Sequence, residues 1–236
     1  MALTLYKELG IDTACIIQDP NYSTGVAGIM VNEKTGENAI NIIPGAAGTL
    51  TNDDIDRNLN FIAKAEIFLT QLETPYKVTS YALKKAKEKG LATILNPAPA
   101  CEIDDDDFKL IDFFTPNETE AEFYLNKKIE TEKDIKSASE EFLKKGIKNI
   151  VITLGEKGCY FANKKENFFI EAFKLKSPVL DTTGAGDAFN GALAVGLSKD
   201  LDIKEALIFA NQVAAISTTK QGAAASMPSL EDIKNY

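Results

Sequence analysis

The residues with the clearest chemical potential form one string, Asp181-Thr182-Thr183-Gly184-Ala185-Gly186-Asp187, which runs on into Ala188-Phe189-Asn190-Gly191-Ala192. Gly184 and Gly186 remove side chains where a backbone must approach a ligand closely. Asp187 is expected to open an apolar helix. The loop's N–H groups and the positive end of the helix dipole then converge on one point, which favours a phosphate oxygen. An acid beside such an anion site is electrostatically awkward unless it works there. Its chemistry would be to accept a proton from an attacking hydroxyl as a phosphoryl group moves. A bare two-glycine pattern more often marks an ordinary loop with an aspartate N-cap, so the longer string has to decide between the two.

The rest of the composition narrows the chemistry. The chain has 236 residues and no histidine. Imidazole triads and imidazole metal sites are therefore excluded, and any general base is a carboxylate, Lys or Tyr. Cys15, Cys101 and Cys159 are few, odd in number and far apart, which argues against a disulfide framework or zinc site and for a reducing cytoplasm. A net charge of -9 repels phosphate backbones, so nucleic acid is not an expected partner. An anionic nucleotide would need a local site that overrides that field. Apolar runs stay well short of the roughly 18 residues of a membrane span. Met1 to Gly10, with Lys7 and Glu8, reads as a helix end and lacks the basic start and cleavage site of a signal peptide. The acids Asp104 to Asp107 precede an apolar stretch and read as a solvated, dipole-matched helix start, not as a metal site.

The elements that must position these groups are legible as an alternation. Helical stretches near Asp53–Ala63, Lys77–Lys89, Asn117–Leu125 and Glu132–Lys145 are separated by short strands near Ile67–Leu72, Ala92–Asn96, Phe113–Thr115 and Asn149–Leu154. Such alternation implies a parallel sheet with helices on its faces. Thr51 with Asp54 and Ser229 with Asp232 fit capping boxes, and Gly90 and Gly146 sit as C-caps. A hairpin is expected from Val26–Val31 and Ala39–Ile43, around the turn-type stretch Asn32 to Asn38. A second β-rich piece, Cys159 to Ile170, would turn at Asn163-Lys164-Lys165, and two long helices would follow near Asp187–Leu197 and Ile203–Thr218. Ligands of open α/β sheets sit beyond the carboxyl ends of the strands, so the loops to watch follow Leu72, Asn96, Thr115, Leu154 and Leu180.

The Asp181–Ala192 string matches the second signature of the phosphofructokinase-B-type (ribokinase-type) sugar kinases, which is long and specific. Ser23 to Ala27 resembles the start of that family's lid, and Gly45-Ala46-Ala47-Gly48 the turn after it. Gln71-Leu72-Glu73, Asn96-Pro97-Ala98-Pro99-Ala100, Thr115-Pro116-Asn117-Glu118-Thr119-Glu120-Ala121-Glu122 and Thr153-Leu154-Gly155-Glu156-Lys157-Gly158 resemble the family's remaining motifs in the same order. The resemblance covers essentially the whole chain. It implies a three-layer, Rossmann-like α/β fold as a single domain over residues 1–236, with part of a β lid at residues 22–44. It implies transfer of the γ-phosphate of ATP to the O5 hydroxyl of D-ribose. A sister acceptor (fructose, deoxyribose or a nucleoside), or a nucleotide-binding fragment with little turnover, is the alternative.

Roles carry over position by position. The resemblance makes Asp187 the catalytic base and Gly184, Ala185 and Gly186 the anion hole. Glu73 would hold sugar hydroxyls, the competing reading being a solvated loop acid. Asn117 would meet nucleotide phosphate, and Glu120 a Mg²⁺ ion through water, although a glutamate near a helix start is also a good dipole partner. Thr153, Leu154, Gly155, Glu156, Lys157 and Gly158 would form the nucleotide loop, which Gly186 and Asp187 complete. Asn211 would stand on the adenine side unless it is an ordinary surface amide. A K⁺ site is implied at Asp181, Thr183, Ser217, Lys220, Gly222 and Ser226, mostly through backbone carbonyls.

Complete family members start earlier, with further strands and a Gly-Gly-Lys-Gly-Ala-Asn sugar motif. Met1 to Thr13 resembles a point well inside them. The resemblance thus leads us to expect missing N-terminal strands, a complete nucleotide side, an incomplete sugar side and weak ribose phosphorylation. It also implies a lid-mediated homodimer in a complete enzyme, with this chain lacking part of the lid that builds it.

Overall fold

Runs of isoleucine, valine and phenylalanine bounded by turns build the central sheet. A computed structural model of the chain describes residues 2–31 and 38–236. After helix α1 (Ala2–Glu8), strands β1 (Thr24–Val31) and β2 (Asn38–Gly45) pair antiparallel as a separate two-stranded sheet, with Val26 opposite Ile43. Both of those side chains are exposed. The expected turn at Asn32 to Asn38 lies, up to residue 37, outside the described residues.

Helices α2 (Asn52–Arg57) and α3 (Leu59–Ile62) lead into the main sheet of β3 (Ile67–Thr70), β4 (Ala92–Leu95), β5 (Phe113–Phe114), β6 (Asn149–Thr153), β7 (Cys159–Asn163) and β8 (Asn167–Ile170). The spatial order follows the chain order. The first four strands are parallel, and β7 and β8 are antiparallel additions. The crossovers are α4 (Tyr76–Glu88) and, between β5 and β6, α5 (Glu118–Leu125) with α6 (Glu132–Lys145). Then come α7 (Ala185–Ser198), α8 (Ile203–Ser217) and α9 (Leu230–Asn235).

Period-two alternation sorts the strand side chains onto two faces. Leu95, Phe114, Ile150 and Ile152 pack with Leu83, Ala121 and Phe142 of the crossover helices. Ile94, Val151 and Phe161 pack with Phe189, Leu193, Leu207 and Ala210 of α7 and α8. Parallel strands laid down in one direction, with crossovers of one hand, put the crossover helices on a common face. The α7–α8 pair covers the other, giving the three layers that the sequence implies.

Local signals hold where they are strong. Capping boxes close the starts of α2, α5, α6 and α9. Asn163 accepts hydrogen bonds from the amides of Lys165 and Glu166, which makes the expected turn. One expected helix is split in two. Asp53–Ala63 breaks at Asn58, whose side-chain amide donates to the Asp54 carbonyl at 2.8 Å and competes with the backbone ladder. The acids 105 and 106 are surface partners of Lys145 and Lys109, and Asp107 accepts from Tyr76.

Candidate active site

The parallel strands deliver their carboxyl-end loops to one edge, and hydrogen bonds lock those loops together. Asn96 takes the Thr70 carbonyl with its backbone amide and the Thr115 carbonyl with its side chain, each at 3.0 Å. Leu72 N–H reaches the Ala98 carbonyl at 2.9 Å, which holds Glu73 at this edge with an exposed side chain. Thr153 N–H donates to Pro116 O at 3.0 Å, and Asn117 bridges Thr153 in parallel register.

Asn117 and Glu120 form a reciprocal cap. Asn117 Oδ1 accepts from the Glu120 amide, and Glu120 Oε2 accepts from the Asn117 amide, both at 2.8 Å. One carboxylate oxygen of Glu120 and the side-chain NH₂ of Asn117 stay outside this pair. Burial raises the Glu120 pKa, and the Asn117 amide only partly offsets it. The capping and ligand-binding readings of this pair are therefore compatible.

The next loop closes on itself. Leu154 N–H donates to Gly158 O at 2.8 Å, and Gly158 N–H to Gly155 O at 3.1 Å. Gly158 has φ 97°, and a Cβ there would lie 2.0 Å from the Ile170 carbonyl oxygen, so only glycine fits. Thr153 ends β6 just before this turn, and Glu156 and Lys157 ride on it. Asn211 is not a surface amide. It is 8% exposed, and its NH₂ lies 3.5 Å from Sγ of Cys159, the residue after the loop. Burial pushes that thiol up to about 12.

The glycine string reaches the same edge from α7. The helix begins at Ala185, two residues before the expected start, with Gly184 as its left-handed N-cap at φ 77°. Asp187 therefore lies inside the first turn and is not the cap. Ala185 N–H is engaged by the Thr182 carbonyl at 3.2 Å. The amides of Gly186 and Asp187 have no protein acceptor among the described residues, as first-turn amides do not. The Asp187 carboxyl likewise has no hydrogen-bond partner among them. Its side chain reaches solvent, yet the protein crowded around the carboxyl desolvates it enough to raise its pKa.

Behind this turn, Asp181 staples two loops. Its Oδ1 accepts from Thr183 N–H and its Oδ2 from Gly222 N–H, each at 2.9 Å. The Gly222 amide, then Thr183, holds its pKa below the usual carboxylate range. Ser217 and Ser226 donate their hydroxyls to Ala214 and Ala223. The Lys220 ammonium turns to Asp232 at 3.3 Å, so only its carbonyl remains to face a cation. These hydrogen bonds bring Asp181, Thr183 and Gly222 together.

Two buried polar residues to which the sequence reading gave no role complete the site. Thr115 Oγ1 donates to Asn190 Oδ1 at 2.7 Å, and Asn190 Nδ2 donates to Gly186 O at 2.9 Å. The available signal was a polar residue on the otherwise apolar face of Phe189, Ala192 and Leu193.

The family model for pfkB family carbohydrate kinases matches residues 1–230. The chain belongs to the pfkB family of carbohydrate kinases. This kinase is 40% identical over 229 residues to a ribokinase of Staphylococcus aureus, covering 97% of this chain and 74% of that one. It is 36% identical over 228 residues to a deoxyribokinase of Salmonella typhi, covering 96% and 74%. Among solved structures, ribokinase of Thermotoga maritima superposes with a TM-score of 0.85 at 38% identity, covering 99% of this chain and 75% of that one. An Arabidopsis thaliana ribokinase complexed with ribose and ATP superposes with a TM-score of 0.83 at 28% identity, covering 99% and 77%. The carbohydrate-kinase phosphotransferase class and the α/β fold expected from the sequence are borne out. Among the described residues, no helix is long and apolar enough to cross a membrane.

Proposed function

We infer that this kinase is an ATP-dependent ribokinase that moves the γ-phosphate of ATP to the O5 hydroxyl of D-ribose. The observation that carries this reading is the pairing of Gly186 and Asp187 amides with an Asp187 carboxyl, all without a protein partner among the described residues, at the edge shared with Asn117, Glu120 and the Thr153–Gly158 loop. Asp187 takes the proton of the attacking hydroxyl, and its raised pKa brings it nearer the ideal for a base. The Gly186 and Asp187 amides receive the negative charge of the transferring group. Asn117 offers its free NH₂ to phosphate, the Gly155–Gly158 turn cradles the nucleotide, and Asn211 bounds it near Cys159. Glu73 is the sugar-facing carboxylate.

The free oxygen of Glu120 suits a Mg²⁺ held through water. When bound, that ion would neutralise phosphate charge. Asp181, Thr183, Ser217, Lys220, Gly222 and Ser226 would hold K⁺ behind the turn, largely through carbonyls. The β1–β2 hairpin is read as part of a lid on a single domain, with its exposed Val26 and Ile43 available to a second copy in a homodimer. The three free cysteines support a cytoplasmic setting.

A relative that is a deoxyribokinase makes 2-deoxyribose the second reading. A panel of ribose, 2-deoxyribose, fructose and a nucleoside, each assayed for ATP-dependent phosphorylation, tests the choice. Ribose should give the highest kcat/KM. A higher value for 2-deoxyribose would transfer the reading to that sugar, and no nucleotide-dependent turnover on any acceptor would leave nucleotide binding alone.

A further inference from the structure

Asn190 is 4% exposed and Thr115 is 1% exposed, so both side chains are polar groups taken out of water. Groups buried in this way are expensive unless they are paired. Here they pair with each other across 75 residues of sequence, at 2.7 Å. The hydroxyl has one proton to give, and the Asn190 oxygen takes it at far shorter range than the Leu95 carbonyl, 3.4 Å away. That leaves the Asn190 NH₂ directed at the carbonyl of Gly186, 2.9 Å away.

The consequence lies on the other side of that peptide. A trans peptide is planar, and its C=O and N–H point in opposite directions. Gly186 and Asn190 are i and i+4 in α7, so the side-chain NH₂ is a second donor to a carbonyl that the helix ladder also engages, and together they fix the direction of the Asp187 N–H, an amide with no protein acceptor among the described residues. Thr115 sits at the end of β5, directly before Pro116 and Asn117. Pro116 carries the carbonyl that takes Thr153 N–H at 3.0 Å. One buried amide thus links the first turn of α7 to the strand end that seats the Asn117–Glu120 cap and the Thr153–Gly158 loop.

We propose that Asn190, held by Thr115, is a positioning residue for phosphoryl transfer, which aims the Asp187 amide at the transferring group and sets its register against the nucleotide loops. The proposal rests on the reading of Gly184–Asp187 as the phosphoryl-receiving turn. It differs from ordinary core packing in what it affects. A core pair supports ADP binding and transition-state binding alike. A pair that aims one amide matters only for the group that amide receives.

The test is calorimetric binding of ADP with Mg²⁺ and ribose, with and without aluminium fluoride as a mimic of the moving phosphoryl group. The parent chain should bind tighter with fluoride present. Removing an oxyanion donor outright costs about 10²–10³, so a misdirected one should forfeit about tenfold of that preference. Asn190→Leu should lose about tenfold of it while keeping ADP affinity within about twofold, and Thr115→Val should move the same way. Thr115→Ser, which retains the hydroxyl, should preserve the preference. Should Asn190→Leu fail to fold, the Thr115→Val and Thr115→Ser pair decides. A full preference in the folded Asn190→Leu and Thr115→Val variants would overturn the proposal and leave the kinase reading intact. An equal loss of ADP affinity would reduce Asn190 to core packing. No preference in the parent chain would remove the phosphoryl-receiving turn itself, and the proposal with it.

Discussion

Replacing Asp187 with asparagine isolates the proposed base. The swap preserves shape and removes proton acceptance. Its cost can be worked from the surroundings. The Asp187 carboxyl has no hydrogen-bond partner among the described residues, so no bond is broken in the free enzyme. The Gly186 and Asp187 amides remain, so stabilisation of the transferring charge should persist. What is lost is general-base catalysis, typically about 10²–10⁴ in rate, or about 2.7–5.4 kcal/mol at 1.36 kcal/mol per decade. Stability should hold or rise slightly, since a desolvated charge is being removed. ADP release with ribose and ATP at saturation gives the turnover, calorimetry gives the ATP affinity, and thermal unfolding confirms the fold. Turnover within threefold of the parent, in a folded variant with normal ATP affinity, would take Asp187 out of the chemistry.

The remaining predictions address pH and packing. Because burial raises the Asp187 pKa in the free enzyme and the base must be ionised, kcat/KM should fall as pH drops through a midpoint above the ordinary Asp value of about 3.9. A pH–rate profile with its acid limb at or below that value would contradict the assigned role. Phe142 is fully buried and meets Phe114 edge-on at 5.3 Å, so Phe142→Ala should cost about 3–5 kcal/mol in chemical denaturation. A loss under 1 kcal/mol would mean that the crossover face is not packed as described.

Sequence alone is enough for most features set by neighbours along the chain. Capping boxes at Thr51 and Ser229, the turn at Asn163, and the strand–helix alternation depend on residues a few positions apart. The glycine string could be read as a phosphate-facing turn for the same reason, and the order of motifs along the chain pointed to the family. Where local signals competed, the reading slipped. Asn58 diverted its side chain to the Asp54 carbonyl and broke a helix that hydrophobic spacing had run on through. Gly184, free to adopt a left-handed cap, starts α7 two residues early, so Asp187 is the third helical residue and not the one that opens the helix. The strand order, the two faces of the sheet, the burial of Asn211 against Cys159 and the union of Thr115 with Asn190 were decided only in three dimensions. Each joins residues tens of positions apart, and a buried polar group reveals its partner only once packing has removed water as the alternative.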